Sequence, residues 1–166
     1  MAYKYASTLA STLSSGATAS GVLHVNTTTA STDANLTEKD LASYTLTGGK
    51  LQVGRTLRIT AVGTNGATAT VKTYRIRFGA TTLTINGTTG SPNGGVWTAE
   101  ILITALTATT QQITLLNAFW GSATQFVTAS PASETLASDI TIRITGQNGT
   151  ANANDCRLNT FIVKAE

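Results

Sequence analysis

The chain has 166 residues, 41% of them hydrophobic and 11% charged, with a net charge of +3. That length suits one domain with a real core, and the charge lies well below the roughly 25% of an ordinary soluble domain, so uncharged Thr, Ser, Asn and Gln must keep the surface wet. The composition excludes a disulfide-stapled domain, because Cys156 is the single cysteine, and the basic residues form no run resembling a nucleic-acid arm.

The first segment reads as an extended arm over residues 1–35. Ser7-Thr8-Leu9-Ala10-Ser11-Thr12-Leu13-Ser14-Ser15-Gly16 and Thr27-Thr28-Thr29-Ala30-Ser31-Thr32 are low in complexity and too poor in apolar residues to hold a compact fold. The start of the chain, Met1-Ala2-Tyr3-Lys4-Tyr5, leads into Ser and Thr rather than an apolar secretory core, and the apolar runs are too short to span a bilayer. Assembly in a cytoplasm, without a membrane or nucleic-acid partner, is the expectation. Within the arm, Gly21-Val22-Leu23-His24-Val25 has strand character and could pair with a sheet edge of its own domain or of a neighbour.

A domain over residues 36–166 follows. Thr37-Glu38-Lys39-Asp40 has the Thr-x-x-acid spacing of a capping box and predicts one helical turn. Beyond it the period becomes two. Leu57, Ile59 and Ala61 share one face of a strand, Tyr74, Ile76 and Phe78 another, then Trp97, Ala99, Ile101 and Ile103, then Ile113 and Leu115, then Ile140, Ile142 and Ile144, before a last strand from Leu158 to Val163. Gly48-Gly49, Thr64-Asn65-Gly66, Asn86-Gly87, Pro92-Asn93-Gly94-Gly95 and Gln147-Asn148-Gly149 mark the turns. Roughly eight short strands without an intervening long helix predict an all-β antiparallel jelly roll or β-sandwich carrying an extended N-terminal arm.

Candidates for chemistry are few. His24 is the single histidine and lies in the arm, so a Ser-His-acid triad has no natural seat. His24 and Cys156 share no zinc-ligand spacing with another residue. Glu38 and Asp40 could share a strand face as a carboxylate pair but read first as the capping turn, and Glu100 alternates with Thr98 and Thr104 as a solvent or subunit-contact residue. Asn152, Asn154 and Asp155 would make a weak calcium loop, and the Asn-x-Thr triplets at Asn26, Asn35, Asn86 and Asn148 arise readily in so Thr-rich a chain. The expectation is no catalysis, no metal and no cofactor.

Leu41-Ala42-Ser43-Tyr44-Thr45-Leu46, then Gly54-Arg55-Thr56-Leu57-Arg58-Ile59-Thr60-Ala61-Val62-Gly63, then Tyr74-Arg75-Ile76-Arg77-Phe78-Gly79 resemble the jelly rolls of tailed-bacteriophage virions, a group that includes capsid cement (decoration) proteins and tail-fibre modules. The resemblance spans about residues 36 to 165 as a pattern of strands and turns. It implies a homotrimeric structural protein on the capsid surface of the virion, with the major capsid protein as partner. On that reading the arm binds the shell, with Tyr3, Tyr5, Leu9, Leu13, Val22, Leu23 and Val25 as its apolar anchors. The alternative it leaves open is a tail-fibre or receptor-binding module in which Trp120 and Phe126 stack on host glycans, whereas Trp97 falls in register with core residues.

Overall fold

A computed structural model describes residues 21–85, 94–120, 123–125 and 128–166. Twelve strands follow one another in the described chain: β1 (Gly21–Asn26), β2 (Ala30–Ser31), β3 (Lys39–Leu46), β4 (Thr56–Asn65), β5 (Thr73–Phe78), β6 (Thr81–Thr84), β7 (Val96–Ala105), β8 (Gln111–Trp120), β9 (Ala123–Gln125), β10 (Thr128–Ala132), β11 (Ile140–Gln147) and β12 (Cys156–Ala165). They form two antiparallel sheets. The larger runs β1-β12-β4-β7-β8-β10, with β2 alongside β12 and β9 alongside β8, and the smaller runs β3-β11-β5-β6.

Period-two patterning explains why these segments are strands. Along β4 and β7 every second residue is buried, and β-branched side chains that lose little freedom on a pleated surface fill most of the positions between. Leu57, Ile59 and Ala61 are fully buried, as are Tyr74, Ile76, Phe78, Trp97, Ile101 and Ile103. The inward rows of both sheets merge into one apolar cluster, in which the Tyr74 ring of β5 meets the Trp97 ring of β7 at 4.3 Å. Each large side chain so buried contributes about 1.5–3 kcal/mol. Gly63 makes this contact possible: a Cβ there would strike the Arg157 carbonyl and the Trp97 indole.

One end of the core is polar and bonded through side chains, with Asn65 Nδ2 buried there without a hydrogen-bond partner among the described residues. Tyr74 donates from its hydroxyl to Asn65 Oδ1 at 2.9 Å, and Trp97 donates from Nε1 to the Arg157 carbonyl at 3.0 Å. Lys72, fully buried, donates from Nζ to the Thr68 carbonyl at 2.7 Å. Asp155, also fully buried, accepts from the Thr68 hydroxyl and from Asn152 Nδ2. Buried charge is tolerable only when bonded in this way, and here the bonds fasten the 66–71 and 148–155 loops together.

The structure departs from the sequence reading in three places. The arm was expected to reach residue 35, but β1 pairs with β12 from Gly21↔Ala165 to Asn26↔Phe161, β2 pairs with it at Ser31↔Arg157, and Thr32 is buried. The described part of that segment therefore lies on the domain. No helical turn forms at Thr37-Glu38-Lys39-Asp40; Lys39 already begins β3, because cross-strand partners on β11 outcompete a local cap. The described strands also outnumber the eight expected, since short β2, β6, β9 and β10 carry too few apolar residues to register as alternating runs.

Candidate interaction surfaces

Three surfaces collect the residues of functional interest. At the first, β1 is the terminal strand of its sheet, so its far edge has no strand partner among the described residues. A register shift between Val22 and His24 turns Val22 and Val25 outward, 57% and 53% exposed, while Leu23 packs on the core. The His24 ring stacks on Tyr44 at 5.1 Å and meets the edge of Phe161 at 5.7 Å, which fixes β1 to both sheets. Of the expected arm anchors, Val22, Leu23 and Val25 thus sit together on this strand, and Tyr3, Tyr5, Leu9 and Leu13 lie outside the described residues.

The second surface is the outer face of the smaller sheet, where Arg75 and Arg77 of β5 and Arg143 of β11 point away from the core. Glu38 is its hub. It accepts from Arg77 Nε and Nη2, both at 2.8 Å, from Arg75 Nη1 at 3.1 Å and from the Thr145 hydroxyl at 2.6 Å. The bidentate hydrogen bonds from Arg77 dominate, and together with Thr145 and the Arg75 charge they hold the Glu38 carboxyl down at about 2 against the opposing cost of burial. Arg143 reaches Asp40 at 3.2 Å, and Asp40, Ser43, Gly79, Asp139, Thr141 and Arg143 line an open polar depression. Sequence reasoning placed Glu38 in a cap. The signal that could have located it was Arg75-x-Arg77, two cations on one strand face that require a carboxylate.

The outer face of the larger sheet is the third surface. Its central charges are grouped: Arg58 on β4 bonds both Glu100 on β7 and the terminal-strand neighbour Glu166. The hydrogen bond from Arg58 lowers the Glu166 carboxyl, and the same pairing raises the Arg58 guanidinium. Elsewhere the face is uncharged along whole rows, as in Val62↔Thr98↔Phe119, where Phe119 is 41% exposed. Beside it the Trp120 backbone pairs with Trp97 and Ala123. The Trp120 side chain and all of Phe126, the expected glycan contacts, lie outside the described residues.

The residues weighed for chemistry are dispersed. His24 lies on β1, Cys156 is buried at the start of β12 with its thiol pushed up to about 11 by burial, and Glu100 faces outward with Arg58. Glu38 and Asp40 do share a face, each occupied by arginine. In the loop considered for calcium, both Asp155 oxygens already accept side-chain hydrogen bonds, and among the described residues no three His, Cys, Asp or Glu side chains converge on a metal position. The Asn148 amide is buried, donating to the carbonyls of Asp33 at 2.7 Å, Asn35 at 3.1 Å and Asn152 at 2.8 Å, so it is a structural tie and no glycan acceptor. No family model, curated protein or solved structure matches this chain.

Proposed function

We propose that the chain is a structural virion protein of a tailed bacteriophage: a homotrimeric capsid cement protein with a jelly-roll sandwich fold, seated on the outside of the assembled shell. It works without catalysis. The observation that carries the reading is β1, an edge strand with an unpaired side and two exposed valines, placed directly after a 20-residue segment that holds Tyr3, Tyr5, Leu9 and Leu13. A strand edge offers main-chain donors and acceptors, and the spaced apolar side chains of the preceding polar segment offer anchors, which together suit attachment along a neighbouring protein surface. Three such attachments on one trimer bind with avidity, and a site shared between capsomers exists only in the closed shell. Binding then stabilises the shell by mass action.

The test is decoration of capsids assembled without this protein, imaged by electron microscopy with tails in view. Regular density over the shell and greater resistance of the particles to heat are expected. Removal of residues 1–20 should abolish that density while leaving a folded domain, because the described strands from β1 onward pair with one another in two sheets. Decoration by the truncated chain at wild-type occupancy overturns the arm mechanism. Density confined to the tail overturns cement function and favours the receptor-binding reading, with substitutions of Trp120, Phe126 and the exposed Phe119 to be tested against host glycans.

A further inference from the structure

We propose that one end of the sandwich, the end at which residues 1–20 join the domain, is the surface that rests on the outside of the assembled shell, with Val53 and Leu106 as its contact pair. This rests on the cement reading above and names the part of the domain that meets the partner.

Strand ends define the surface. β1 begins at Gly21 opposite Ala165 of β12, the Glu166 amide donates to the Thr56 carbonyl at 2.9 Å, and Thr56 of β4 pairs with Thr104 of β7. The start of β1, the end of β12, the start of β4 and the end of β7 therefore lie together. Just beyond them stand Val53 and Leu106, 56% and 54% exposed, flanking the hydrogen bonds that join Gly54 and Arg55 to Ala105 at 2.8 and 2.9 Å. Both side chains gain when a partner removes them from water.

The loops at this end are ordered in advance. The Gly49 amide donates to the Leu136 carbonyl at 2.7 Å, the Leu136 amide to the Ala108 carbonyl at 3.0 Å, the Gly48 amide to Asp139 Oδ1 at 2.8 Å, and the Leu106 and Thr107 amides to the Thr110 carbonyl at 3.0 Å. Segments so tied lose little freedom on binding. Lys50 and Arg55 are exposed in the same loop as Val53, whereas Glu134 and Asp139 of the neighbouring loop are each engaged by a backbone amide. The complement is an apolar patch of protein bordered by carboxylates.

Val71 and Val96 are also exposed, by 40% and 52%, but Val96 pairs with Thr64 at the far end of β4. The covalent link decides between the two ends. β4 is 10 residues long, roughly 34 Å at ~3.4 Å per residue. Leu13 precedes Gly21 by eight positions, a reach of at most roughly 28 Å. With the far end on the shell, Leu13 could not reach past the domain to act as an anchor; with the near end on the shell, every anchor can. A three-fold axis parallel to the strands brings this end of all three copies to one side, as the trimer requires.

Co-sedimentation with capsids assembled without this protein, over a range of protein concentrations, tests the surface with residues 1–20 kept in every variant. Val53→Asp/Leu106→Asp is expected to bind at least tenfold more weakly than wild type, with unchanged oligomer mass by light scattering and unchanged far-ultraviolet circular dichroism. Val71→Asp/Val96→Asp is expected to bind as wild type. Should the first variant misfold, Val53→Ser/Leu106→Ser removes the apolar contact without adding charge, and weaker binding is again expected. A folded Val53/Leu106 variant that binds as wild type overturns the surface and leaves cement function standing, and so does equal weakening by the Val71/Val96 variant. Wild-type protein that does not bind shells overturns the cement reading itself.

Discussion

Replacing Glu38 by Gln keeps the size of the side chain and removes the charge on which Arg75 and Arg77 converge. The carboxyl sits at about 2 in the folded protein against an ordinary value of 4.5, which at ~1.4 kcal/mol per pH unit sets a ceiling of about 3.5 kcal/mol on its contribution. The Glu38 side chain retains 24% of its exposure, and solvent screening of partly exposed pairs brings the expected loss to about 1–2 kcal/mol at pH 7. For a domain of this size that is a fall in Tm of roughly 3–6 °C. Because the folded carboxyl lies below its unfolded value, the contribution is complete above about pH 4.5 and fades as the pH falls towards 2. Urea denaturation of both proteins from pH 7 to pH 2 measures it: the stability gap should be constant down to about pH 5, narrow below that, and close near pH 2. Molar salt should narrow it at pH 7 as well. A gap that is absent at pH 7, or one that persists undiminished at pH 2.5, refutes the assignment of Glu38 as an ionised hub.

Asn148→Ala removes the amide that donates to the Asp33, Asn35 and Asn152 carbonyls and accepts from the buried Thr32 hydroxyl. The expected cost is about 2–3 kcal/mol in urea unfolding, with faster amide exchange confined to the neighbouring loops; a loss below about 0.5 kcal/mol counts against that tie. Cys156, buried and with its thiol pushed up to about 11 by burial, is expected to resist a thiol-specific disulfide reagent at pH 8 until urea unfolds the chain. Prompt labelling of the native protein contradicts that burial.

The core strands were legible because burial on one face imposes period two directly on the amino-acid order. Each inward row expected from the sequence is found buried, from Leu57, Ile59 and Ala61 through Trp97 to Ile140, Ile142 and Ile144. β1 was only half legible. Its composition announced a strand, but the register shift between Val22 and His24 breaks the alternation, and its partner β12 begins more than a hundred residues later in the sequence. Segments whose pairing is that distant look like loose arms when read alone. Val22 and Val25 were singled out as apolar anchors and do project from the domain, whereas Leu23, named beside them, is occupied by the core.

The electrostatics were hidden for a different reason. A local motif competes on equal terms with a distant one only when both are written in neighbouring residues, and the partners of Glu38 lie 37, 39 and 107 positions away at Arg75, Arg77 and Thr145. Thr37-Glu38-Lys39-Asp40 therefore reads as a helix start although β11 takes its backbone and β5 takes its charge. The same holds for the charges of the larger sheet. Thr56, Thr60, Thr64, Thr98 and Thr104 look like an undifferentiated polar background in sequence order. Once β4 and β7 are laid side by side, they become the flanks of one broad face whose ion pairs gather at Arg58. Strand order thus gathers sparse charges into ion pairs on both outer faces, around Glu38 on the smaller sheet and around Arg58 on the larger.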